Sequence, residues 1–252
     1  MVFSKINSFV TAFKYIQFFL EVLGMENKTL SLTPNAWFFV LAIAGIQILG
    51  EFTENEILKM LKPIPIMCLI YIALKEKKFL PMTGLCFSII GDIMLMVHSD
   101  NMFMAGTEAF LVGHICYVME FITRRNWNFK ITARCIIIGA ITLISIVYVA
   151  NMIDLWNKTP NFPLFATYGA MLCLTMITSL FTFKNNKNKG YLLTVCGAIL
   201  FGVSDNLIAV LKFHNLENNI GDGLIMLTYY SSQLLILRGI IKSDEMEKED
   251  TI

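Results

Sequence analysis

Two aspartates sit where the surrounding sequence offers no reason for a charge. Asp92 lies inside the apolar run 79–97 and Asp205 inside the run 191–211. An ionised carboxylate in apolar surroundings is costly unless a partner, a proton or a wet cavity compensates it, so two of them point to a site. Two carboxyl groups in low dielectric can divide the work. One stays protonated and delivers a proton, while its ionised neighbour accepts one or stabilises positive charge. Further polar side chains recur in the same setting. His114 and Tyr117 share a face of the run 103–122, and Tyr229, Tyr230 and Gln233 form a polar patch on the run 220–240. Ser88 precedes Asp92 by one helical turn, and Ala198, Gly202 and Ala209 share the face of Asp205, leaving room for a close helix or a ligand. Taken singly, His114 is as readily a packed polar residue as a catalytic one, and Tyr117 and Gln233 are side chains that commonly hold membrane helices together.

Other chemistries find less support. The chain has no GxSxG, no Walker A sequence, no HExxH, and no GxGxxG after a strand. Its three histidines fall on separate elements without an HxxxH pair, which argues against a zinc hydrolase, so neither a metal nor another cofactor is expected. The six cysteines all lie inside apolar runs and never at CxxC spacing. They read as small buried hydrophobes.

The elements that must position these residues are membrane helices. Of 252 residues, 56% are hydrophobic and 15% charged, and the mean hydropathy of +0.64 is far above that of a soluble domain. A net charge of +1 without a basic stripe gives no reason to expect nucleic acid as a partner. Apolar runs occupy residues 36–50, 63–74, 79–97, 103–122, 131–150, 162–183, 191–211 and 220–240. Most are long enough for a hydrocarbon core of about 30 Å, which needs roughly 20 residues. The expectation is an all-α, polytopic protein of about eight transmembrane helices. The first two runs are short, and Pro63 and Pro65 suit the start of the second, where Lys62 can snorkel to the interface.

Outside this domain, 31–242, the sequence suggests an N-terminal amphipathic or interfacial segment, 1–30, and a charged cytoplasmic tail, 243–252. In the N-terminal segment Phe3, Ile6, Val10, Phe13, Ile16, Phe19 and Leu23 recur every three or four positions; Lys14 in its middle argues against a signal peptide. Orientation follows from the loops. Lys75, Lys77 and Lys78 follow the second run, Arg124, Arg125 and Lys130 the fourth, and Lys184, Lys187 and Lys189 the sixth, whereas the alternate loops are poor in positive charge. The positive-inside rule makes those three loops and both termini cytoplasmic. It also places the sequon Asn157-Lys158-Thr159 outside, in a short loop beside Pro160, and Asn27-Lys28-Thr29 on the cytoplasmic side. On this topology the two aspartates lie in the half of the bilayer away from the cytoplasm.

Laying the third and seventh apolar runs together suggests a parallel four-plus-four repeat, since Gly84 and Gly197 each precede an aspartate by eight residues. More specific are five blocks in order: Lys62-Pro-Ile-Pro-Ile66, Phe87-Ser-Ile-Ile-Gly-Asp92, Gly113-His-Ile-Cys-Tyr117, the stretch from Gly197 through Ser204-Asp205 to Lys212-Phe213, and Leu224 to Gln233 with Thr228-Tyr229-Tyr230. Together they resemble the motif blocks of the YhhN-like lysoplasmalogenase family, across the second to eighth runs. One departure is Leu211, where the family often has Asn before the Lys-Phe pair.

The resemblance implies a hydrolase acting on an ether bond: the vinyl ether of a lysoplasmalogen, with a glycerophosphocholine or glycerophosphoethanolamine headgroup, cleaved to release a fatty aldehyde. It implies Asp92 and Asp205 as the acid–base pair, with His114, Tyr229 and Tyr230 placing water and tuning them. Lys62 would hold the lipid phosphate, and Ser88, Tyr117, Ser204 and Gln233 are the candidate substrate contacts. The partners expected are the lysolipid and the bilayer, in the endoplasmic reticulum or another endomembrane. A small-solute or proton-coupled transporter is the alternative, the same aspartates then carrying protons or a cation.

Overall fold

The computed structural model describes residues 34–97, 99–124, 162–182, 190–214, 216 and 218–249. The N-terminal amphipathic segment, the run 131–150, both sequons and the loop residues Arg125, Lys130, Lys184, Lys187 and Lys189 lie outside them. The chain divides into two compact units, Met1–Ile43 and Ala44–Ile252. All residues of the candidate site fall in the second.

Helix is the only regular structure among the described residues, and it follows the apolar runs. The helices are α1 (Pro34–Phe52), α2 (Pro63–Lys75), α3 (Phe79–Leu95), α4 (Asp100–Thr123), α5 (Phe162–Ser179), α6 (Gly190–Phe213) and α7 (Asn219–Glu249), with a single turn at Glu56–Lys59 before α2 and a 3-10 turn at Leu180–Thr182 after α5. Among the described residues, five segments are long and apolar enough to cross a membrane: Glu56–Lys75, Asp100–Thr123, Phe162–Thr182, Gly190–Phe213 and Asn219–Lys248. On length and composition this is an integral membrane protein.

Local chemistry sets the boundaries. The short second run gains its length from the turn before it, which Asn55 caps by accepting from the backbone nitrogens of Ile57 and Leu58 at 3.1 and 3.3 Å. Pro63 and Pro65 then occupy the first turn of α2, where a missing N–H costs nothing. The third run makes a shorter helix than its apolar length suggested. α3 ends at Leu95, because Ser99 breaks the chain and caps α4 by accepting from the Met102 nitrogen at 3.3 Å.

Within the second unit α2 to α7 form a closed ring, each packing on the next among those described and α7 returning to α2. The tightest seams are made by small residues. A Cβ at Gly84 would meet the Gly113 carbonyl oxygen at 3.3 Å, and one at Gly113 would meet the Gly84 carbonyl oxygen at 3.2 Å. Between α6 and α7, a Cβ at Gly239 would lie 2.6 Å from the Thr194 nitrogen and 2.7 Å from the Gly190 carbonyl oxygen. Helices in a bilayer gain little from burying apolar surface against each other, so backbone approach of this kind supplies much of their association.

The two ends of the ring differ. At one, the Asp244 carboxylate accepts from Lys78 and from Arg124, and the Arg124 guanidinium also reaches Glu120. This ties the α2–α3 turn, the end of α4 and the far end of α7 together. Glu120, near the end of α4, is only 7% exposed, because Arg124 one turn later turns back onto it. At the other end Lys212 lies 3.9 Å from Asp100 and over the Phe103 ring. A further correction concerns the cysteines. Cys68, Cys116 and Cys173 are buried, but Cys86 and Cys196 are exposed on the outer faces of α3 and α6, where a bilayer is as apolar as a core.

Candidate functional site

Asp92 is carried by α3 at 1% exposure. Its carboxylate accepts a hydrogen bond from the Tyr229 hydroxyl of α7 at 2.8 Å. Lys62 and Asp205 are the charged groups within electrostatic reach of it. α7 can bring Tyr229 this close because Gly91 and Gly106 let α3 and α4 approach, the Phe110 ring filling the space over Gly91 and meeting Tyr229 edge-on at 6.0 Å.

Asp205, on α6, keeps different company. It accepts from the Tyr168 hydroxyl of α5 at 2.6 Å and lies 3.3 Å from His114 Nε2 on α4. The other ring nitrogen, Nδ1, is 3.1 Å from the Thr175 hydroxyl. Thr175 in turn donates to the Met171 carbonyl at 2.9 Å, so its oxygen is left to accept from Nδ1–H, and Nε2 is the nitrogen that then faces the carboxylate and the Tyr168 hydroxyl. Two groups from two helices, the Tyr168 hydroxyl and the His114 imidazole, thus converge on one carboxylate, with the imidazole fully buried.

The Phe201 ring of α6 touches both carboxylate clusters. Its centroid is 4.4 Å from that of His114 and 5.9 Å from that of Tyr229, with Tyr117 at 6.3 Å. Aromatic walls of this kind exclude water and keep the local dielectric low, which strengthens every polar contact inside.

The remaining expected residues take separate positions. Tyr117 donates to Gln233 Oε1, and Gln233 Nε2 donates to the Ser88 hydroxyl at 3.1 Å, which itself donates to the Gly84 carbonyl at 3.0 Å. All of these side chains are essentially without solvent exposure, so this chain of bonds ties α3, α4 and α7 together below the Asp92 level. Ser204 is likewise enclosed, its hydroxyl reaching the Ile225 carbonyl of α7 at 3.2 Å. Tyr230 points away from its neighbour's partner and donates to the Lys62 carbonyl at 2.8 Å. Lys62 itself is only partly buried at the start of α2, at the end of the ring nearer the two aspartates. Leu211 packs its side chain over Gly221 of α7, an apolar role at the position where the family it resembles often has Asn.

Sequence reasoning missed Tyr168 and Thr175. A signal existed: the two are seven residues apart on one face of an apolar run, the spacing at which one helix can address a single histidine from two sides. Phe201 carried no signal, since a phenylalanine in an apolar run looks like filling.

No curated protein and no solved structure matches the chain. The model of the YhhN family, however, matches residues 58–240, which takes in both carboxylates, His114, both tyrosines of α7, Lys62 and the newly found Tyr168. The span covers well over half of the chain, from the turn before α2 to the end of the apolar part of α7, and the chain therefore belongs to the YhhN family.

Proposed function

We propose that the protein is a lysoplasmalogenase that hydrolyses the vinyl ether bond of a lysoplasmalogen to a fatty aldehyde and a glycerophospho-headgroup. The observation that carries this reading is the pair of enclosed carboxylates, Asp92 and Asp205, each accepting a tyrosine hydroxyl on the inside of one helix ring. Family membership agrees with it.

Cleavage begins with transfer of a proton to the outer alkene carbon, leaving an oxocarbenium ion at the carbon bound to oxygen. Water adds there, and the resulting hemiacetal collapses to the aldehyde and the free glycerol hydroxyl. One carboxyl group supplies the proton. The ionised one offsets the positive charge and takes a proton from the attacking water, a division of labour also used around the oxocarbenium-like transition state of glycoside hydrolysis. The tyrosines hold each carboxylate in place, and His114, held by Thr175, can pass a proton to or from Asp205. Lys62, partly buried at the start of α2, would take the lipid phosphate. Its end of the ring would face away from the cytoplasm and the ion-paired end towards it, in an endomembrane.

The test is direct. Purified protein mixed with lysoplasmalogen in detergent or liposomes should release fatty aldehyde in proportion to enzyme. Absence of aldehyde, alongside flux of a small solute in the same liposomes, would turn the reading over to transport.

A further inference from the structure

Outside the residues matched by the family model, α1 brings two polar side chains into the second unit that no part of the mechanism uses. Gln47 is completely buried and Glu51 is 7% exposed. Gln47 Nε2 donates to Glu51 Oε1 at 2.6 Å. That bond fixes the orientation of the amide: with the nitrogen committed to the carboxylate, Gln47 Oε1 is an acceptor, and among the described residues no donor reaches it. A buried acceptor without a donor is costly, so a partner is called for.

The place of this pair is informative. Tyr230 lies within electrostatic reach of both Glu51 and Asp92, and its hydroxyl binds the Lys62 carbonyl. Glu51 and the Lys62 backbone are therefore both neighbours of one tyrosine, and the Lys62 ammonium lies within electrostatic reach of Asp92, so a carboxylate and an ammonium share the end of the ring that holds the aspartates. A headgroup with a phosphate and a cationic nitrogen offers the complementary charges.

The two acceptors discriminate between cations. A quaternary ammonium is a cation without N–H groups; it can satisfy the Glu51 charge but not the Gln47 oxygen. A primary ammonium has three N–H donors and can satisfy both. We infer that Gln47 and Glu51 form a subsite for the primary ammonium of an ethanolamine headgroup whose phosphate lies on Lys62. This rests on the lysoplasmalogenase reading for the identity of the lipid, and it adds which headgroup the chain selects and by which residues.

Binding of unreactive ligands tests the subsite apart from the reaction. Two saturated alkyl ether lysolipids with the same chain, one bearing ethanolamine and one choline, are titrated against purified wild type, Glu51→Gln and Gln47→Leu. Wild type should bind the ethanolamine lipid about tenfold or more tightly than the choline lipid, the scale of a lost charge-assisted hydrogen bond. Gln47→Leu should weaken the ethanolamine lipid and spare the choline lipid, and Glu51→Gln should weaken both. Equal affinity of wild type for the two lipids, or a preference that survives both substitutions, overturns the subsite. Either result is independent of aldehyde release, whose absence from the vinyl ether lipids would instead overturn the activity while leaving a headgroup preference on record.

Discussion

At the residue scale the two carboxylates are distinguished by their partners. Asp92 has one tyrosine hydroxyl, while Asp205 has a tyrosine and a histidine that is itself held by Thr175. Replacing either by Asn keeps shape and hydrogen bonding but removes the proton that can be given or taken. Asp92→Asn and Asp205→Asn should each insert and remain monodisperse in detergent, yet lose aldehyde release by about 10² or more, the usual contribution of a general acid or base. Near-normal turnover in either would break the pairing. Tyr168→Phe is a finer probe, since it deletes only the hydroxyl that lies 2.6 Å from Asp205. Loss of one hydrogen bond to a charged group should lower kcat roughly tenfold with KM little changed; a rise in KM alone would make Tyr168 a substrate contact. Asp92, Asp205 and His114 were legible as polar anomalies in apolar runs. Tyr168 and Thr175 showed only their seven-residue spacing on one face, because tyrosine and threonine are ordinary in membrane helices and only their partners give that spacing meaning.

At the element scale, hydrophobic runs marked where helices lie, and capping residues marked some of their ends. What the runs could not convey is which faces meet. The α6–α7 seam depends on Gly239, where an added Cβ has no room beside the backbone of Gly190 and Thr194. Gly45 on α1, by contrast, has nothing within 4 Å of a Cβ. Gly239→Ala should therefore destabilise by roughly 1–3 kcal/mol through forced backbone displacement, and Gly45→Ala should be neutral or gain up to about 1 kcal/mol from helix propensity. Thermal unfolding in detergent distinguishes them: the first should lower the midpoint by several degrees and the second should not. Equal midpoints would mean that the two helices are not held by that contact. The run beginning at Phe79 shows the limit of reading lengths from hydropathy, since Ser99, a capping residue amid polar neighbours, ended α3 earlier than apolarity alone implied.

For the whole molecule, the described helices bring two carboxylates to one ring, and the Thr175 hydroxyl beside His114 donates to the Met171 carbonyl rather than to the imidazole, which makes a prediction about substrates. An ester hydrolysis develops an oxyanion and needs donors aimed at it, whereas vinyl ether cleavage develops a cation that carboxylates favour. Given three lysolipids alike in chain and headgroup, the protein should cleave the alkenyl lipid, leave the acyl and saturated alkyl lipids intact, and be inhibited competitively by the alkyl one. Fatty acid released from the acyl lipid at a comparable rate would refute carboxylate catalysis. Sequence alone determined that this chain is a helical membrane protein, and it picked out both aspartates, because the cost of placing a charge in hydrocarbon is set by residue type and neighbours along the chain. It also carried the family, through residues that keep their order and spacing. Tertiary structure decided the rest: that Tyr229 serves one carboxylate and Tyr168 the other, that Tyr230 turns to the Lys62 backbone, and that Ser204 is spent on a helix seam. Those assignments depend on the rotation and separation of neighbouring helices, which are set by contacts such as Gly84 on Gly113 between residues distant in sequence, and no local pattern records them.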